Sequence, residues 1–176
     1  MNYGLIKIIF LFTGLLMLVS CKEISTPKPQ RVVSDKEVLE NKRKAVRMES
    51  NQIDKYIDRR GWKMTKTASG LRYMVYDDLK GDVYPKENDT VYIKYVVSLI
   101  DGKTIYVSDS AGLASFVVGH DEVENGLQEG VQYLTKGDKA KFIVPSHLAH
   151  GYTGDFNRIP RNATVIFDIS LVRIND

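Results

Sequence analysis

Residues 116–145 read FVVGHDEVENGLQEGVQYLTKGDKAKFIVP, and the fold turns on how this stretch is parsed. In its middle, Leu127, Val131 and Leu134 recur at helical spacing and Gly137 closes the run. Apolar residues three or four apart share one face of a helix. The following DKAKFIVP returns to strict alternation, the signature of a strand with one buried face.

Working outward, everything else in the C-terminal two thirds alternates. LRYMVYDD sets Leu71, Tyr73 and Val75 against Arg72, Met74 and Tyr76. TVYIKYVVSL puts Val91, Ile93, Tyr95 and Val97 on one face, and TVIFDISLVRI aligns Val165, Phe167, Ile169 and Leu171. Between two strands, LIDGKTI carries Asp101-Gly102, a turn signal. There is no repeating β-α-β pattern and no internal repeat. The expectation is an α+β domain over 62–176, an antiparallel sheet with one short helix.

Upstream the pattern is helical. Ser34 and Glu37 have the spacing of a capping box, and a helical arm over 34–61 ends at Gly61. Its apolar positions Val38, Val46, Ile53 and Ile57 form a thin stripe interrupted by Lys42 and Glu49. That stripe leaves three roles open: a solvated spacer, packing on the domain, or pairing with a second copy.

The net charge of +3 is unevenly spread. Residues 22–60 hold eleven Lys and Arg against seven Asp and Glu, a balance of +4; residues 61–176 hold thirteen against fifteen, a balance of −2. A nucleic-acid binder concentrates positive charge on its folded domain, so nucleic acid is not an expected partner.

The first residues, MNYGLIKIIFLFTGLLMLVSCKE, carry Lys7 before a twelve-residue apolar run from Ile8 to Val19. A bilayer span needs about 20 such residues, whereas a secretory signal needs fewer. Leu18-Val19-Ser20-Cys21 resembles a bacterial lipobox. The reading is a lipoprotein signal over 1–20 and a lipidated linker over 21–33, with Cys21 carrying the lipid and anchoring the chain to a membrane. A lone cysteine in an exported chain has no internal partner, and lipidation accounts for it.

The sequence lacks G-x-S-x-G, a Gly-rich phosphate loop and H-E-x-x-H. His147 and His150 stand three apart between Pro145 and Gly151, which suggests a turn, and His120 is remote in sequence. A metal would need a further ligand, and two loop histidines more often lie on a surface or line a pocket. No metal or cofactor is expected.

Three ordered motifs carry a family resemblance: VYIKYVVSLIDGKTIYVS, the quoted stretch at 116–145, and LAHGYTGDFNRIPRNATVIFDISLVRI. From about Ser69 to Ile174 the chain resembles the FKBP-type peptidyl-prolyl cis-trans isomerases. With its export signal and arm it looks like the cell-envelope lipoprotein members, including gliding-motility-associated ones. The resemblance implies a curved antiparallel sheet wrapped around one short helix, and rotation about X–Pro bonds without a nucleophile or metal. It also implies proline-containing segments of exported proteins as substrates, and a macrolide as a ligand.

Transferred by position, the catalytic cleft would be formed by Tyr95, Phe116, Phe167 and His150. Substrate binding would fall to Ile105, Tyr106, Val123, Glu124, Leu127 and Ile159, with the Glu124 backbone amide as donor. Several of these depart from the family. Ile105 replaces an aromatic, Tyr106 an aspartate, Leu127 a tryptophan and His150 a tyrosine, while Ala114 stands at a wall aromatic. Losing the aspartate removes a polar anchor unless Tyr106 supplies one. His150 would offer a ring N–H where the tyrosine has its hydroxyl, which would make peptide binding depend on pH. An isomerase of the envelope is therefore the first reading, its lipid in the outer rather than the inner membrane because Lys22 follows Cys21. The alternatives are a peptide-binding module or chaperone with little isomerase activity, and an adaptor acting through the arm.

Overall fold

The computed structural model describes residues 34–108 and 112–175. The lipobox, Cys21 and the linker lie outside the described residues. Among these, the elements in chain order are α1 (Asp35–Arg60), β1 (Thr65–Lys66), β2 (Arg72–Asp77), β3 (Thr90–Leu99), β4 (Thr104–Val107), β5 (Ala114–Val117), α2 (Asn125–Val131), β6 (Lys139–Val144), a 3-10 turn (Ser146–Leu148) and β7 (Val165–Ile174).

The strands form one antiparallel sheet in the order β1-β2-β6-β7-β3-β4. β3 is long enough to carry two partners on its outer edge: Thr90–Ile93 pair with β5 and Val96–Ser98 with β4. Register shifts at Val75/Asp77, Tyr92/Ile93 and Val97/Ser98 break the ladders, and such bulges increase the local twist.

One face of the sheet packs on α2. Val91, Ile93, Ala140, Phe142, Val144, Val165, Phe167, Ile169 and Leu171 meet Leu127, Val131 and Leu134 in a single buried cluster. The close approach depends on two glycines. A Cβ at Gly126 would lie 2.3 Å from Val144 Cγ1, and one at Gly130 2.5 Å from Phe142 Cε2. The helix is shorter than its apolar spacing predicts. After Val131 the chain tightens into i→i−3 bonds, Tyr133 N to Gly130 O and Leu134 N to Val131 O, so Leu134 reaches the core from a turn.

The opposite face is covered by α1. Ile53, Tyr56 and Ile57 are buried against Ile143 of β6 and Ile166 of β7, with Trp62 alongside. The helix ends in a Schellman motif: Gly61 has φ +63, its N–H donates to Asp58 O, and Trp62 N–H donates to Ile57 O. Polar anchors join the apolar ones. The buried Arg72 of β2 donates to Asp54 Oδ1 at 2.7 Å, Ser50 Oγ at 2.7 Å and Gly70 O at 2.6 Å. Of the three roles left open for the arm, packing on the domain is what the second half of α1 does. Val38, Leu39 and Val46 of the first half are exposed, as is Met48 just beyond it. Residues 36–176 form one compact unit.

Candidate functional site

The residues nominated for a cleft come from six places in the chain and converge. Ile105 (β4), Phe116 (β5), Leu127 (α2), Ile159 (the loop before β7) and Phe167 (β7) belong to the same buried cluster. Tyr95, Tyr106 and Val123 are half-buried against it. Phe116 sits opposite Val91 on β3, and Phe167 lies between Val97 on β3 and Phe142 on β6. At 4% and 2% exposed, Phe116 and Phe167 are packed within the core. Tyr95, Tyr106, Glu124 and His150 are half-buried.

Glu124 is the last extended residue before α2, with φ −56 and ψ 133. Its carbonyl accepts from Leu127 N and Gln128 N, starting the helix. Its own N–H has no acceptor among the described residues. Val123 N donates to Asp121 O and Val117 N to Asp121 Oδ2, which fixes the turn leading into this position.

His150 and His147 point to different partners. His150 Nε2 lies 3.0 Å from Glu124 Oε1, joining the loop to the start of α2. His147 Nε2 lies 3.0 Å from Ser69 O, on the other side of the loop. Among the described residues, no three His, Cys, Asp or Glu side chains gather as a metal site would require.

Reading by position missed Asp155. Its Oδ2 accepts the Tyr106 hydroxyl, and its Oδ1 accepts N–H groups of Asn157 at 2.9 Å and Ile159 at 2.7 Å. Burial opposes its ionisation, but these hydrogen bonds, with one from Arg158 N–H, outweigh it and hold the carboxyl at about 2. The same bond to Asp155 raises the Tyr106 hydroxyl above its ordinary range. Arg158 adds a second link, donating from Nη1 to Ile105 O at 2.9 Å with its guanidinium 5.5 Å from the Tyr106 ring centroid. Tyr106 of β4 is thus hydrogen-bonded to a carboxylate of the facing loop. The sequence signal was an Asp two and four residues ahead of amides it can cap, but nothing local pointed to Tyr106.

A cavity of about 1310 Å³ lies elsewhere, between α1 and the loop. Val46, Ile100, His147, Tyr152 and Ala163 line it, with none of the cleft residues.

Comparison with known proteins agrees with this geometry. Residues 81–172, more than half of the chain, match the family model of the FKBP-type peptidyl-prolyl cis-trans isomerases. A probable FKBP-type isomerase FkpA of Neisseria meningitidis is 39% identical over 108 residues, covering 61% of this chain and 39% of the relative. The isomerase FKBP1A of Xenopus laevis is 38% identical over 106 residues, 60% of this chain and 98% of its own length. The chain therefore spans well under half of the FkpA relative but nearly all of the shorter one. The crystal structure of Escherichia coli FkpA superposes with a TM-score of 0.60 at 29% identity, covering 83% of this chain and 75% of that one. By family model, relatives and fold alike, this chain belongs to the FKBP-type peptidyl-prolyl cis-trans isomerases.

Proposed function

We propose that the chain catalyses cis-trans isomerisation of X–Pro bonds in exported or envelope proteins. The observation that carries this reading is the convergence of Tyr95, Ile105, Leu127, Ile159 and Phe167 beside a Glu124 N–H that no protein group accepts among the described residues. Amide resonance sets a barrier of about 18–20 kcal/mol to the rotation. Twisting the bond removes resonance and makes the carbonyl less polar, so a dry apolar wall favours the twisted state over the planar one. The Glu124 N–H would hold a flanking carbonyl, and no side chain need gain or lose a proton.

In this reading Cys21 bears the lipid and tethers the domain to a membrane, the outer one by the Lys22 rule. No helix among the described residues is long and apolar enough to cross a membrane. A macrolide would compete for the same walls. The second reading, a peptide-binding module with weak catalysis, draws support from the Glu124–His150 contact, which occupies the rim at 3.0 Å.

The test is prolyl exchange in a short X–Pro peptide with residues 21–176 carrying Cys21→Ser, with and without tacrolimus. Acceleration supports the isomerase, and its loss with the macrolide places catalysis at these walls. A folded sample that binds the peptide without accelerating exchange would leave the binding module as the function. Mass analysis of the chain made in a bacterial host, beside its Cys21→Ser form, tests the lipid.

A further inference from the structure

Every residue of the loop at the cleft lies between two points held by one carboxylate of the arm. Glu49 of α1 accepts Ser146 N–H at 2.7 Å and Thr164 Oγ at 2.7 Å on Oε1, and Ser146 Oγ at 2.9 Å on Oε2. Ser146 begins the loop and Thr164 ends it, one residue before β7. Both are buried, at 8% and 6% exposed. Between them stand His150, Asp155 and Ile159. The hold continues inward: Ser146 O accepts Gly151 N at 2.8 Å, and Gly151 O accepts Asn162 N at 2.8 Å. Gly151, next to His150, is thereby tied both to the clamped stem at Ser146 and to Asn162 on the returning side of the loop.

We propose that Glu49 is a positioning residue for the isomerase site, closing the base of the 146–164 loop so that His150 and Ile159 face α2 and β4. The proposal rests on the isomerase reading for its catalytic consequence, though the clamp itself does not. Two loop ends brought together by a third element lose most of their freedom before substrate arrives, and a preorganised site binds more tightly than one that must be ordered on binding. The arm is then part of the catalytic unit, although it contributes no atom to the cleft. In the sequence, Glu49 shows only as a break in the apolar stripe of α1.

The experiment uses the full chain with Cys21→Ser and compares Glu49→Ala, Glu49→Gln and Asp54→Asn. Glutamine keeps the geometry: its carbonyl oxygen can take both Oε1 donors, and its amide can donate to Ser146 Oγ. Asp54→Asn weakens the anchorage of α1 to Arg72 without touching the loop, and so controls for general loosening. Hydrogen exchange is read at the amides of 146–164, and KM and kcat on the X–Pro peptide. Losing three part-buried hydrogen bonds should lower loop protection about tenfold or more in Glu49→Ala. KM should rise about three- to tenfold with kcat changed less, as expected when a site must be ordered on binding. Glu49→Gln should stay within about threefold of the parent, and Asp54→Asn should leave loop protection and KM unchanged. Unchanged loop protection in Glu49→Ala, or an equal loss in Asp54→Asn, overturns the clamp. If the parent chain is inactive, the isomerase reading fails, and hydrogen exchange still decides whether Glu49 holds the loop.

Discussion

The Tyr106 hydroxyl, on β4, donates to Oδ2 of Asp155, on the loop before β7, across 49 positions of sequence. The same carboxylate caps the N–H groups of Asn157 and Ile159, so one bond between strand and loop sets the position of a wall residue. Tyr106→Phe removes the donor and leaves the ring. With the loop less firmly held but still anchored at its other contacts, KM for an X–Pro peptide should rise about two- to fivefold. Steady-state kinetics of the variant beside its parent measure this, and an unchanged KM would show that the Tyr106 hydroxyl does not hold the site.

The pH behaviour of that bond follows from the Asp155 carboxyl, held at about 2 against an ordinary 3.8. A carboxyl whose folded value is depressed contributes stability above its unfolded value and loses it as pH falls through the folded one. The contribution is therefore complete above about pH 5 and disappears between about pH 4 and pH 2. Asp155→Asn should flatten the fall in urea midpoint over that acid window while leaving the shape of the curve above pH 5 unaltered. Urea titrations at pH 2.5, 4 and 6 read it directly, and parallel curves for the two proteins would contradict the assignment.

Much of the sheet was legible because its residues announce their own surroundings. Val165, Phe167, Ile169 and Leu171 alternate in sequence and are all buried on one face of β7. TVYIKYVVSL spans β3 from Thr90 to Leu99. Gly61 marks the end of α1 because its φ of +63 suits glycine. The polar residues that position the site were not legible in this way. Glu49 interrupts an apolar stripe and therefore reads as evidence against packing, yet its partners Ser146 and Thr164 lie 97 and 115 residues away. Tyr106 reads as a lost anchor because the carboxylate it engages comes from another element. Periodicity reports which face is apolar, and a hydrogen bond between distant polar side chains leaves no period.

Glu124 and His150 join the start of α2 to the loop at 3.0 Å. The contact ties the loop to the position at which the Glu124 N–H would hold a bound carbonyl. His150→Phe keeps a ring there and removes the nitrogen, so KM for the X–Pro peptide should rise about two- to fivefold. Michaelis curves of the variant beside its parent test the point. An unchanged KM would show that the ring does not control binding.

Gly130 tests the packing of α2. An added Cβ would stand 2.5 Å from Phe142 Cε2, and the Phe142 side chain is completely buried. Neither the helix nor the ring has room to give way. Alanine is otherwise the better helix former, by about 1 kcal/mol over glycine. Overpacking of this kind costs about 1–3 kcal/mol and should dominate. Gly130→Ala is expected to unfold at lower urea concentration than the parent, and a higher midpoint would mean that α2 and Phe142 leave room for the added methyl.

The arm makes the last prediction, because its two halves differ. Val38 and Val46 are exposed, whereas Ile53, Tyr56 and Ile57 are buried against Ile143 and Ile166. A chain starting at residue 47 keeps the buried set, Glu49 and the Asp54–Arg72 pair. One starting at residue 62 loses all of them and uncovers Ile143 and Ile166. Burying a large apolar side chain is worth roughly 1.5–3 kcal/mol, so three of them amount to roughly 4–9 kcal/mol as an upper bound. Domains of this size are stable by only about 5–15 kcal/mol. The 47–176 chain should keep the parent's urea midpoint to within about 0.3 M, while the 62–176 chain should lose at least about 1 M or fail to fold, given slopes of about 1–3 kcal/mol per molar urea. A spacer helix would leave both midpoints where they were. Equal midpoints for the two truncations would mean that α1 stabilises nothing, and the clamp at Glu49 would fall with it.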